Sequence, residues 1–208
     1  MILYYCNISY YMEDLSHIIN NDVPSINIQG RVCHHKIKIL YALCKKFKLE
    51  TYLEIGVHNG SSMSYVLQCN NIKKCIGIDP FEQLKTTDPS MTHYQNMDHI
   101  TKNKTLKNIE HNNKYKADIQ LIQEYSCNVN LDNIGNSIDL LFIDGDHNYN
   151  AVLKDFHMFK NCVRTGGIIV FDDLHQDGPR RVFDEIKNNL DVKLIGIYDK
   201  TEGILMKV

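Results

Sequence analysis

The sequence predicts an α/β fold organised on a mostly parallel sheet, and three stretches predict it. Leu140, Leu141, Phe142 and Ile143 form a short unbroken apolar run that ends in Asp144-Gly145-Asp146-His147. That is the pattern of a parallel strand covered on both faces. Gly167 to Phe171 is a second such run, ending in Asp172-Asp173 with His175 close behind. Thr51 to Ile55 is a third, followed by the tight turn Gly56-Val57-His58-Asn59-Gly60-Ser61-Ser62. Open parallel sheets bind ligands beyond the carboxyl ends of their strands. These strands therefore carry acids, imidazoles and a glycine turn to the end of the sheet where such folds keep their chemistry.

Composition sets the frame. The chain has 208 residues, 43% hydrophobic and 23% charged, enough for one domain with a sizeable core, or one domain with an extension. A formal net charge of -2 offers no broad phosphate-binding surface, so nucleic acid is not the expected partner. The 7 cysteines lack CxxC spacing and read as reduced, mostly buried thiols of a cytoplasmic protein. No run approaches the ~20 apolar residues of a membrane span.

In chain order, residues 1–30 form an extension in which Tyr10 to Asn20 reads as a helix with Met12, Leu15, Ile18 and Ile19 on one face. It is either a cap over the site or a homodimer contact, and the sequence leaves both open. Residues 31–208 form the main domain. Val32 to Lys46 is helical, with Ile37, Leu40, Tyr41, Cys44 and Phe47 at helical spacing. His34 and His35 are adjacent on it, point about 100° apart and make no chelating pair. After the first strand and its glycine turn, Met63 to Cys69 continues as a helix, and Lys74 to Ile78 is a second strand ending at Asp79. Strand, glycine turn and helix make the βα unit of a nucleotide-type site. The GxxxG spacing differs from the GxGxxG of dinucleotide folds. Asp79 stands where such folds hold ribose hydroxyls; capping of the adjacent loop is the other reading. Met97 to Ile109 is helical, with Asp88-Pro89 in a loop before it. Ile119 to Ile122 is the third strand and Ile138 to Ile143 the fourth. Ala151 to Cys162 is a helix, Gly166-Gly167 close the connection to the fifth strand, and Pro179 to Leu190 is a helix. Val192–Tyr198 and Ile204–Val208 form a closing hairpin.

Taken together these motifs resemble the class I S-adenosylmethionine-dependent methyltransferases. The closer likeness is to the metal-dependent small-molecule O-methyltransferases that act on catechols and on sugars. The resemblance covers about residues 30–208. Leu53 to Ser61 matches the first family motif, E-x-G-x-x-x-G-x-S, and Gly77-Ile78-Asp79 matches the ribose-acid strand. Tyr125-Ser126 falls where the family places a Ser near the adenine. Phe142 to Tyr149 and Gly166 to Asp173 match the fourth- and fifth-strand motifs of the sugar-type members. His58 departs from the Gly that many methyltransferases carry. The resemblance implies a Rossmann-like, doubly wound seven-stranded sheet, mostly parallel, with one antiparallel strand near the C-terminal edge. It implies S-adenosylmethionine bound through Glu54, Gly56, Gly60, Ser61, Asp79 and Ser126, with Asp144 beside it. It implies a divalent cation, Mg²⁺ or another, on Asp144, Asp172 and Asp173, with His147 in the place of the base. The implied acceptor is a sugar or nucleotide sugar, with a catechol or polyphenol second.

The residue types support that chemistry independently. A hydroxyl is a poor nucleophile at neutral pH and needs a base, a Lewis acid or both. Carboxylates are hard oxygen ligands suited to Mg²⁺, and imidazole titrates near working pH. Other readings stand beside these. Asp144 and Asp172-Asp173 could cap following segments. Asp146 could orient His147, bind substrate or face solvent. His175 could contact substrate, and Arg180 and Arg181 could hold a phosphate or line a solvated helix face. A non-catalytic cofactor-binding scaffold is the rival of a different class.

Overall fold

The computed structural model describes residues 2–28, 36–82 and 100–208. The His34-His35 pair, the expected start of a helix at Val32 and the Asp88-Pro89 loop lie outside them. Seven strands form one sheet: β1 (Thr51–Ile55), β2 (Lys74–Ile78), β3 (Asp118–Ile122), β4 (Ile138–Ile143), β5 (Val163–Phe171), β6 (Val192–Tyr198) and β7 (Glu202–Lys207). Their order is β3-β2-β1-β4-β5-β7-β6. The first five are parallel, and β7 runs antiparallel to both β5 and β6. The doubly wound sheet with one antiparallel strand near its C-terminal edge is thus the observed fold.

Alternation along each strand builds two cores. Tyr52, Leu140, Phe142, Val170 and Ile204 face one side, and Leu53, Ile55, Leu141, Ile143, Ile169, Phe171 and Leu205 face the other. Period-2 side-chain geometry makes each buried strand serve both layers. The first layer is covered by α1 (Ile2–Asn21), α2 (Lys38–Phe47), α3 (Ser61–Val66) and α4 (Lys102–Asn112), through residues such as Leu15, Leu40, Met63 and Ile109. The second is covered by α5 (Tyr149–Phe159) and α6 (Asp177–Ile186), through Val152, Phe156, Phe159, Val182 and Phe183. The helix read in the N-terminal extension is present and longer than expected. Leu15 and Ile19 are buried and Met12 and Ile18 pack beside them. Met12 fills the space over Gly196 on β6. The ends of α2, α4 and α5 follow local chemistry. Lys48 closes α2 in the left-handed region, the Thr101 hydroxyl accepts the Lys104 N–H, and the Asn148 side chain accepts the Asn150 N–H.

Several boundaries correct the sequence reading. The helix read over Met97 to Ile109 runs Lys102–Asn112, with residues 97–99 outside the described ones, and the helix read over Ala151 to Cys162 runs Tyr149–Phe159. Gly166 and Gly167 lie inside β5, which starts at Val163. The pairing jumps from Ile138 opposite Val163 to Leu140 opposite Ile168, and Gly166 takes φ +77° at this bulge. The helix after the glycine turn ends at Val66, with turns carrying the chain to Asn71. The helix expected over Pro179 to Leu190 runs Asp177–Ile186.

At the amino ends of the strands, Asp139 ties the sheet together. Its Oδ2 accepts the Glu50 and Thr51 N–H groups at 2.7 and 2.8 Å and the Thr51 hydroxyl at 3.0 Å, and its Oδ1 accepts the Arg164 Nε–H. Burial alone would raise its pKa, but these donors hold it below the usual value. Among the described residues no helix is long and apolar enough to cross a membrane. Of the described cysteines, Cys44, Cys69, Cys75 and Cys162 are buried free thiols and Cys127 is an exposed one.

Candidate active site

The carboxyl ends of β1, β2, β4 and β5 converge. β1 pairs with β2 and β4, and β4 with β5, so the glycine turn, Asp79, the Asp144 turn and Asp172-Asp173 follow neighbouring strands. The turn after β1 needs its glycines. Gly56 has φ +88° and lies under the Asp144 turn, where a Cβ would come within 2.6 Å of the Asp144 carbonyl carbon and 2.9 Å of Gly145 Cα. Gly60 has φ +81° and packs on Ile109. His58, where many methyltransferases have Gly, also takes a positive φ of 51°. The departure in sequence therefore keeps the glycine-like backbone, at the cost such conformations carry for side chains with a Cβ.

The residues expected to hold the cofactor are brought around this turn. Asp79 Oδ2 accepts the N–H groups of Val57 and His58 at 2.9 and 2.8 Å, and its Oδ1 accepts the Phe81 N–H. The acid thus braces the glycine turn and the loop after β2. Ser61 donates its hydroxyl to Asn59 Oδ1. Glu54 is fully buried and accepts the Ser62 hydroxyl through Oε1, while Oε2 has no partner. Burial pushes its pKa up to about 8 against the opposing Ser62 bond. Ser126 opens a 3₁₀ turn after β3 and donates to Asp155 Oδ1 at 2.6 Å.

Beyond β4 and β5 lies an acidic cluster. Asp144, His147 and Asp173 offer ligand atoms that all lie within 4.8 Å of one another. His147 Nε2 stands 3.7 Å from Asp144 Oδ1 and 3.5 Å from Asp173 Oδ2 and has no hydrogen-bond partner. Asp173 sits at φ +54°, an uncommon backbone state for a residue with a side chain and one that gathers at functional sites. Its carboxylate accepts from Gln176 at 3.0 Å and pairs with Lys36. Asp172, the other expected ligand, falls outside that three-residue group. It accepts the Asp173 N–H at 2.7 Å and lies 3.6 Å from Lys36 Nζ. Its pairing partners thus come from the chain itself. Desolvation, then Asp172, Asp173 and Glu54, raise the pKa of Asp144.

The neighbours weighed in the sequence fall as follows. Asp146 is exposed and accepts the Asn148 N–H. His175 is exposed, with Nδ1 3.5 Å from Asp173 Oδ1. Arg180 and Arg181 both pair with Asp177, and Arg181 lies over the Tyr149 ring.

Four residues escaped sequence reasoning. Lys36 is 137 positions from Asp173, and nothing local announces the pair. Glu202, at the start of β7, is 1% exposed, faces Asp172 and has an unpartnered Oε1. Gly178 lets α6 approach the His147 turn, where a Cβ would come within 2.8 Å of the Tyr149 nitrogen. Asp155 is buried on the inward face of α5, and burial raises its pKa to about 6. That one had a signal, an acid one position before Phe156 on an apolar face.

Comparison with known proteins bears on the fold and the family. An uncharacterized protein of Acanthamoeba polyphaga mimivirus is 38% identical over 163 residues, covering 73% of this chain and 64% of that protein. The chain thus spans under two thirds of the length of this curated relative. Among solved structures, the O-methyltransferase NovP superposes with a TM-score of 0.62 at 12% identity, over 97% of this chain and 79% of that one. An O-methyltransferase from Bacillus cereus, in complex with S-adenosylhomocysteine, gives 0.56 at 17% identity, over 96% and 91%. At these identities the likeness establishes the shared fold. A family model described as a methyltransferase domain matches residues 53–174, from β1 through the Asp172-Asp173 pair. With more than half of its length matched, the chain belongs to the methyltransferase-domain family.

Proposed function

We propose that the protein is an S-adenosylmethionine-dependent O-methyltransferase that methylates a hydroxyl of a small-molecule acceptor, a sugar or nucleotide sugar, using a divalent cation and His147 as base. The observation that carries this reading is the grouping of Asp144, His147 and Asp173 at the ends of β4 and β5, beside the glycine turn. The sugar acceptor rests on the Asp144-Gly145-Asp146-His147 form of the motif. We assign the protein to the cytoplasm, and residues 1–30 to an extension that caps the domain, a homodimer contact being the alternative.

The residues fit both small molecules. S-adenosylmethionine supplies an electrophilic methyl group on a positively charged sulfur. The Gly56–Gly60 turn lets a bound cofactor approach the backbone, and Glu54 lies buried on the strand that leads into it. Asp79 and Ser126 would meet the ribose and the adenine, the roles that the family resemblance implies for them. Asp144 and Asp173 would hold the cation with Asp172 beside them, and oxygen donors favour Mg²⁺. A cation there lowers the pKa of a coordinated hydroxyl. His147 Nε2, without a hydrogen-bond partner, accepts the hydroxyl proton.

Calorimetry with S-adenosylhomocysteine, then with Mg²⁺, on wild type and Asp144→Ala tests the reading. Cofactor binding by both, with Mg²⁺ binding lost in the variant, is expected and would justify screening nucleotide sugars for methyl transfer. No binding of S-adenosylhomocysteine would sink the proposal. Cofactor binding with no Mg²⁺ heat in wild type would remove the metal from it.

A further inference from the structure

Lys36 occupies an unusual place. It precedes α2, on the opposite end of the chain from the acids, yet its ammonium pairs with Asp173 and stands 3.6 Å from Asp172. Its side chain is only 22% exposed. The acids around it are many: Asp144, Asp172 and Asp173 lie together, with Glu54 and Glu202 buried behind. Clustered carboxylates of this kind repel one another unless a cation sits among them. One further atom points to a cation: Glu202 Oε1, on a residue 1% exposed, has no hydrogen-bond partner.

We propose that Lys36 is a built-in counter-cation that competes with the divalent ion for the Asp172-Asp173 pair, so that metal binding must displace Lys36 from it. This rests on the reading that the cluster binds a divalent ion. The physical reason is charge. An ammonium within a few ångströms of the ligands repels an incoming dication, and Asp173 cannot serve both at full strength. Lys36 also lies two residues before α2. Its release therefore frees residues 36 and 37 at the entry to that helix.

The competition has a simple arithmetic. If the ammonium blocks the pair most of the time, the apparent Mg²⁺ affinity is lowered by the fraction of unblocked sites. Removing it restores that factor. Titration calorimetry of Mg²⁺ into wild type, Lys36→Gln and Lys36→Arg reads this directly, and hydrogen exchange at residues 36–38 reads the displacement. The expected result is a Kd about tenfold lower in Lys36→Gln, with Lys36→Arg no tighter than wild type. Mg²⁺ should also speed exchange at residues 36–38 in wild type. Equal Mg²⁺ affinity in wild type and Lys36→Gln would overturn the competition while leaving the metal reading intact. Weaker binding in Lys36→Gln would also overturn it, since Lys36 would then help to build the site. No Mg²⁺ binding by either protein at millimolar concentration would overturn the metal reading, and the competition with it.

Discussion

Replacing Gly56 by Ala should push the Gly56–Gly60 turn away from the Asp144 turn. Two costs combine at this position. The first is backbone strain: at φ +88° a residue with a Cβ is strained by roughly 1–2 kcal/mol. The second is overlap. The new methyl would lie 2.6 Å from the Asp144 carbonyl carbon and 2.9 Å from Gly145 Cα, whereas carbon atoms prefer about 3.5–4.0 Å. The two turns must therefore part by roughly 1 Å, a misplacement that costs about 100-fold in a catalytic geometry. The chain contains its own control. Gly135 has φ +82° and nothing within 4 Å of its would-be Cβ, so Gly135→Ala carries the strain without the overlap. Thermal melts and S-adenosylhomocysteine calorimetry on both variants separate the terms. Gly135→Ala should lose some stability and keep wild-type affinity. Gly56→Ala should lose more stability and bind the cofactor product at least tenfold more weakly. Wild-type affinity in a folded Gly56→Ala protein would refute the coupling between the turns.

Three further outcomes follow from the geometry. Asp139→Ala leaves the exposed Arg164 guanidinium and two part-buried N–H groups without their acceptor and should cost about 1–3 kcal/mol in urea unfolding, with no measurable loss counting against the tie. Glu54 and Glu202 both have pKa values raised to about 8 from 4.5, chiefly by burial; the folded state holds these protons more tightly, so stability is greatest at acid pH and is lost as pH rises through about 8. A melting temperature for metal-free protein that holds or rises from pH 6 to 9 would contradict this, and Glu54→Gln should flatten the fall. His147→Ala should lower kcat by about 100- to 10,000-fold with S-adenosylhomocysteine affinity unchanged, and a kcat within threefold of wild type would dismiss His147 as the base.

What the sequence made legible was what is local. β1, β2 and β4 begin and end where the sequence reading placed them, at Thr51–Ile55, Lys74–Ile78 and Ile138–Ile143. Asp144 and Asp173 could be placed together because each follows a buried strand and parallel strands align their carboxyl ends. The misreadings have equally local causes. Two glycines read as a break, although Gly166 forms a bulge inside β5. Asp139 sits within the run Ile138 to Ile143, where a single acid looks like a strand's polar face; its four donors come from Glu50, Thr51 and Arg164, which only the pairing of β1, β4 and β5 brings near. Lys36 and Glu202 reach the acids from distant parts of the chain, and no spacing rule joins them.

The place of β7 has a consequence for how the molecule is made. β6 is synthesised before β7 but has no other partner in the sheet, since β7 lies between it and β5. On a ribosome, β6 must wait as an unpaired strand until the residues after the Asp199-Lys200 turn have emerged, and the two then dock as a hairpin. Glu202 arrives with that step, at the first position of β7. The acids at the ends of β4 and β5 therefore gain Glu202 as a buried neighbour only when the β6-β7 hairpin joins the sheet beside β5.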